Sequence, residues 1–367
     1  MRTVMLLSIF VVSLCFLSCK KETPSEPQDN SNQKIEVVIN DIPFKTDMYY
    51  RVSYTLKMWE YEKEGLTLEQ VQILDYDTKA ELFKIDKTQL PLIYKEPLQQ
   101  FPYFTQDHID HYYMSIQLPL ALDKPRPAKI YHRFILKNSQ NEDVVVEGGT
   151  FIPRFNESPI VIGSPVKGKN WIFMNQSSMG SHFKVLFFVN GKILCAERFA
   201  FDNAKLSDSF NAYYSGDSQE NSSYFNYLDT LYAVADGIIT AVKDGRPENH
   251  GNAQDVQFNS LDEMDGNYVK IDIGNGRYAI YDHCHPNSFF VKTGDTVKEG
   301  DALALLGNSG NSTSPHLHFH IADGTEILSN GIPFVLKTYT KTVFNQTGIT
   351  AQVYNNAMPE EFTIMSF

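Results

Sequence analysis

Residues 308–320 read Asn308-Ser309-Gly310-Asn311-Ser312-Thr313-Ser314-Pro315-His316-Leu317-His318-Phe319-His320. Gly310 and the small polar residues around it make a turn. The alternation after Pro315 makes a strand. Strand side chains alternate between faces, so His316, His318 and His320 share one side while Leu317 and Phe319 point to a core. Three of the chain's ten histidines at this spacing form a surface suited to a metal ion or to acid–base work. A polar strand face that happens to carry imidazoles is the plain alternative.

Working outward, residues 164–340 consist of short strands separated by Gly-Asp turns. Leu231 to Val242 reads as a strand, an Asp236-Gly237 turn and a second strand. Gly266–Gly276 and Arg277–His283 follow. In Val291–Gly307, Gly294-Asp295 is answered by Gly300-Asp301. Such pairs wind strands into a compact, mostly β body. Asp244 to Asp262, rich in Asn, Gly, Asp and Gln, reads as a long surface loop. Residues 341–367 add one or two strands.

Between Ile35 and Ile160, short apolar runs alternate with turn signals. Tyr50, Val52, Tyr54 and Leu56 alternate with Arg51, Ser53, Thr55 and Lys57, a period of two. Several such strands imply a β-sandwich of immunoglobulin type over residues 35–160. Leu66 to Leu74 reads as a short helix or a loop. His108, His111 and His132 are scattered, and His132 beside Arg133 is read as a strand-face residue.

Composition allows a large core: 42 % hydrophobic, with 25 Phe and 20 Tyr in 367 residues, enough for two domains. The net charge of −12 argues against nucleic acid, whose phosphates would be repelled. Arg2 precedes an apolar run from Val4 to Leu17, so residues 1–18 read as a secretory leader, short for a membrane span. Phe16-Leu17-Ser18-Cys19 resembles a bacterial lipobox. That resemblance implies cleavage before Cys19 and a lipid anchor on its sulfur, hence a cell-envelope address. Ordinary secretion and an uncleaved anchor are the alternatives. Residues 19–34 are polar and aperiodic and read as a tether. Cys195 and Cys284 remain in the body. An oxidising envelope permits a disulfide between them, and two separate buried thiols are the other possibility.

The Gly-Asp repeat, Gly307-Asn308-Ser309-Gly310, Pro315-His316-Leu317-His318-Phe319 and the strand Tyr281-Asp282-His283 together resemble the lysostaphin-type (LytM) metallopeptidases, peptidase family M23. The likeness covers about Trp171 to Phe334. It implies a duplicated β-sheet core over residues 161–340 and hydrolysis of peptide bonds in peptidoglycan with one Zn²⁺. A catalytic zinc keeps three protein ligands and an open position for water, lowers that water's pKa and polarises the scissile carbonyl. By the resemblance His318 is a zinc ligand, and His316 and His283 are the catalytic imidazoles beside the metal.

The family's other two ligands come from an upstream His-x-x-x-Asp. The matching stretch is Arg198-Phe199-Ala200-Phe201-Asp202. Asp202 fits the carboxylate, and Arg198 stands where the first histidine belongs. Guanidinium has no acceptor and cannot ligate a cation. Either another residue supplies the ligand, or Arg198 pairs with Asp202 and its charge replaces the metal, or the register is shifted. His182 and His320 are the substitutes to consider, ahead of Cys195 and His285. The plain alternative for Asp202 is a structural ion pair with Arg198.

Two functions follow, with peptidoglycan as the partner of both. One is a lipid-anchored zinc endopeptidase. The other is a catalytically degenerate domain that binds peptidoglycan or regulates other wall hydrolases. A biotinyl or lipoyl carrier shares the hairpin repeat, but no Met-Lys-Met turn is present.

Overall fold

The computed structural model describes residues 34–90, 94–95, 107, 111–174, 182–346 and 348–367. The leader, Cys19, the tether up to residue 33 and His108 lie outside the described residues. The described chain is mainly β, its helical elements being single 3-10 turns.

The described residues between 35 and 151 form two facing sheets. One runs Ile35–Asn40, Tyr49–Met58, Tyr112–Ala121, Tyr94–Lys95, with Phe44–Lys45 added to Tyr49–Met58. The other runs Glu81–Asp86, Thr67–Asp75, Ile130–Lys137, Asp143–Phe151. Val52, Tyr54 and Leu56 from the first meet Val71, Ile73 and Phe134 from the second in one core, as the period-two pattern requires. Thr67–Asp75 is a strand, which corrects the expected helix or loop. A bulge between Leu68 and Gln70 spaces the buried Leu68 and Val71 three positions apart, and that spacing imitates a helix face. His132 is also deeper than a strand-face residue. It is fully buried, with Nε2 2.8 Å from the Tyr54 hydroxyl and Nδ1 3.0 Å from the Gly149 carbonyl.

The rest of the chain builds an eleven-stranded sheet. At its centre, Trp171–Met174, Phe201–Lys205, Leu317–Ala322, Tyr278–Asp282, Tyr268–Asp272 and Gly237–Lys243 are neighbours in that order. Phe201, Phe319, Tyr281 and Val269 stand opposite one another across four strands and are fully buried. The C-terminal strand Ile364–Ser366 inserts between Phe334–Asn345 and Trp171–Met174.

The expected hairpin from Leu231 to Val242 does not form. Thr230–Tyr232 pairs with Ala302–Leu305, while Gly237–Lys243 pairs with Tyr268–Asp272. The Asp236-Gly237 corner therefore passes the chain from one sheet to another. A Cβ at Gly237 would lie 2.4 Å from the Asp272 carbonyl oxygen, so only glycine fits this approach. The two Gly-Asp turns are built alike: Asp295 and Asp301 each accept the backbone N–H of the lysine three residues back.

Residues 34–367 form one compact unit. Phe44 packs edge-on against Phe199 in the larger core. The ion pairs Arg51–Glu360, Lys341–Asp47 and Arg198–Asp41 also join the first sandwich to the remainder. No helix among the described residues is long and apolar enough to cross a membrane.

Candidate metal centre

Strand register assembles the site. His318 lies directly opposite Asp202 on one neighbouring strand and opposite Asp282 on the other. The core residues Phe201, Phe319 and Tyr281 are one position away on each strand, so the Asp202–His318–Asp282 row must occupy the other face. Asp202 Oδ1 is 3.0 Å from His318 Nδ1 and 3.4 Å from His316 Nε2.

His182 completes the group. It lies in a single 3-10 turn at His182–Lys184, 20 residues before Asp202 rather than four. Its Nε2 is 3.8 Å from Asp202 Oδ2, and its ring centroid is 4.8 Å from that of His318. One ligand atom from each of His182, Asp202 and His318 lies within 4.8 Å of the others. The Nδ1 of His182 is 3.4 Å from the Ala200 carbonyl. A carbonyl only accepts, so that nitrogen carries the hydrogen and Nε2 offers its lone pair to the site. Two imidazoles and one carboxylate beside an open cleft are a donor set suited to zinc, with room for a fourth, exchangeable position.

Arg198 takes no part in this group. Its side chain is fully buried and turns away, with Nε 2.6 Å from Asp41 Oδ2 and Nη1 donating to Thr55 Oγ1 at 2.8 Å. The guanidinium also lies over the Phe183 ring at 4.7 Å. It does not pair with Asp202.

His283 and His316 stand together beside the metal group, ring centroids 4.8 Å apart. His283 adopts φ 63°, the left-handed region that a non-glycine residue rarely enters. Its backbone N–H donates to the Asp265 carbonyl, and its carbonyl accepts from Gly307. These bonds hold the strained turn at the end of Tyr278–Asp282. The Nδ1 of His283 is buried with no hydrogen-bond partner among the described residues. Burial, then the neighbouring His316 and His318, push its imidazole well below the usual range. His316 Nδ1 donates to the Ser314 carbonyl at 2.8 Å, which leaves Nε2 basic and facing Asp202.

His320 is buried one step further along the same strand face, its ring 5.5 Å from that of His318. It groups with Asp282 and His318 rather than with Asp202, and burial lowers it to about 3. His285 is outside the site, its Nδ1 3.0 Å from Glu248. Cys195 and Cys284 are both buried free thiols.

Several residues of the cleft carry no signal of their own in the sequence. Glu197 places Oε2 3.3 Å from His318 Nε2. Asp265 and Asp282 line the same cleft, which has a volume of ≈ 290 Å³. Burial raises both carboxyls, Asp265 to about 6, and Lys270 Nζ lies 3.5 Å from Asp265. Burial alone would push His318 down, but Glu197 and Asp202 outweigh it and raise the imidazole well above its ordinary value. The supposed surface loop supplies a clamp. Asn249 is fully buried and its Nδ2 donates to the carbonyls of Asn308, Gly310 and Ser312, pinning the turn that leads to His316. Asn226 holds the Pro315 carbonyl in the same way at 2.7 Å. Nothing in a lone Asn or Glu signals such a role; the pairing appears only once the chain is folded.

The sequence profile of peptidase family M23 matches residues 226–329, a span that holds His283, His316 and His318 but neither Asp202 nor His182. The chain is similar to the peptidoglycan DD-endopeptidases ShyC and ShyA of Vibrio cholerae. It is 39 % identical to ShyC over 77 residues, 21 % of this chain and 16 % of that protein. It is 41 % identical to ShyA over 91 residues, 25 % of this chain and 17 % of that protein. The chain thus spans about a sixth of the length of these relatives. Among solved structures it is similar to the catalytic domain of lysostaphin from Staphylococcus simulans, with 19 % identity, 39 % of this chain and 78 % of that one covered, and a TM-score of 0.24. With its His-x-His strand and the Tyr-x-His strand beside it inside the matched residues, the chain carries a peptidase family M23 domain.

Proposed function

We propose that this chain is a zinc-dependent endopeptidase that hydrolyses peptide bonds in peptidoglycan. The observation that carries the reading is the meeting of His182, Asp202 and His318, ligand atoms within 4.8 Å, beside the paired rings of His283 and His316. His182, Asp202 and His318 would hold the metal. When bound, zinc supplies a Lewis acid for the scissile carbonyl and an acidified water. His316 Nε2, its other nitrogen tied to Ser314, takes and returns a proton at the cleft. His283, held neutral by burial, then His316 and His318, offers a hydrogen bond to charge that develops on the substrate oxygen. The degenerate alternative leaned on Arg198 replacing the metal, and Arg198 is engaged instead with Asp41 and Thr55.

The test is the zinc content of the purified full chain together with release of peptides from isolated peptidoglycan. About one zinc per chain, and peptide release abolished in His318→Ala, are expected. Wild-type protein that takes up no zinc would rule the reading out.

We further propose that Cys19 carries a lipid anchor holding the enzyme in the bacterial cell envelope. The support is the lipobox-like Leu17-Ser18-Cys19 after an apolar leader. Labelled palmitate should enter the wild type and not Cys19→Ser; equal labelling of the two would refute it.

A further inference from the structure

We propose that Glu197 is a positioning residue for the metal ligand His318: its carboxylate accepts the Nε2–H, so that the Nδ1 lone pair is presented beside Asp202. The inference rests on the zinc reading above and adds a residue to it.

The geometry comes from one turn. Residues 196–199 form a turn in which the Ala200 N–H donates to the Glu197 carbonyl and the Arg198 N–H to the Cys195 carbonyl. Successive side chains leave this turn in opposite directions. Arg198 goes into the buried seam with Asp41 and Thr55, and Glu197 goes into the cleft, where Oε2 reaches His318 Nε2 at 3.3 Å. The buried anchor on Arg198 thereby fixes the backbone from which Glu197 reaches.

His318 has a carboxylate at each ring nitrogen: Asp202 Oδ1 at 3.0 Å from Nδ1, Glu197 Oε2 at 3.3 Å from Nε2. With a metal bound, one nitrogen gives its lone pair to the ion and only the other keeps an N–H. The end that shares its carboxylate with His182 is Nδ1, because Asp202 also lies 3.8 Å from His182 Nε2. The proton then belongs on Nε2, and Glu197 is its acceptor. His182 is arranged by the same logic, with its outer nitrogen on the Ala200 carbonyl. Each imidazole ligand thus has an outer partner that selects the tautomer, one a backbone carbonyl and one a carboxylate. Glu197 and Ala200 sit three residues apart, so this short segment orients both rings.

The experiment measures zinc affinity of the full chain by competition with a chelator, for wild type, Glu197→Gln, Glu197→Ala and His318→Ala. It also records the ¹H–¹⁵N imidazole spectrum of zinc-loaded, ¹⁵N-histidine-labelled protein. Expected are one zinc bound in wild type and both Glu197 variants, affinity reduced about 10–100-fold in Glu197→Ala, and a smaller loss in Glu197→Gln, whose amide oxygen still accepts. A slowly exchanging Nε2–H signal, absent in His318→Ala, should broaden or vanish in Glu197→Ala. Unchanged affinity and an unchanged signal in Glu197→Ala, with wild type binding zinc, would overturn this inference and leave the zinc reading standing. Complete loss of zinc in Glu197→Gln would also overturn it, by making Glu197 a direct ligand. A wild type without zinc would overturn both.

Discussion

Arg198 and Asp41 form a buried ion pair, Nε 2.6 Å from Oδ2, that ties the turn before Asp202 to the first sandwich. The residue that looked like a lost metal ligand is a structural anchor pointing out of the site. Arg198→His should therefore not raise zinc content or affinity. Removing one partner strands a buried charge, so Arg198→Ala should cost roughly 3–5 kcal/mol, read from denaturant unfolding. A gain of zinc binding in Arg198→His would contradict the placement.

His182 should behave as a ligand although it is 20 residues from Asp202. His182→Ala should lose more zinc affinity than the roughly 10–100-fold typical of outer partners, matching His318→Ala in both metal content and peptide release. His320→Ala should retain zinc. The reverse order in a chelator titration would transfer the ligand role from His182 to His320.

His132 should make the protein acid-sensitive. Burial lowers its imidazole from 6.5 to about 4. Between those values the unfolded chain takes a proton that the folded chain refuses, so stability falls as pH drops from about 6.5 and levels off near the folded pKa, losing about 3 kcal/mol from this group. Unfolding midpoints measured between pH 7 and 4 should show this slope, and His132→Gln should flatten it. An equal slope in the variant would assign acid sensitivity elsewhere.

Asn249→Ala removes the donor shared by three carbonyls of the turn before His316. A cost of about 1–3 kcal/mol is expected, with kcat lowered more than zinc affinity because His316 is not placed as a ligand. Loss of zinc in step with activity would show that the clamp serves the ligand strand instead.

Cys195 and Cys284, both buried and free, should resist thiol reagents until the chain unfolds, since burial pushes the Cys195 thiol up to about 12. Under non-reducing conditions neither should be missing from the free-thiol count of the denatured body. A disulfide-linked peptide containing both would refute this.

What could be read along the chain was what neighbouring residues decide. Alternation after Pro315 put His316, His318 and Phe319 on their faces, and the Gly294-Asp295 and Gly300-Asp301 turns follow from local hydrogen bonding. Thr67–Asp75 escaped because a bulge disturbs that local period. His182 could be named only as one of several substitute ligands, for a different reason. Residues 187–194 fold into a hairpin between His182 and Asp202, and Leu186 and Phe188 pack against Tyr113 of the sandwich. That packing returns His182 to Asp202 across 20 residues of chain. Which partner Arg198, Glu197 and Asn249 take is likewise settled by ladder register and by burial between distant segments. A side chain's surroundings in such places depend on residues a hundred positions away, so no pattern in its own neighbourhood can announce them.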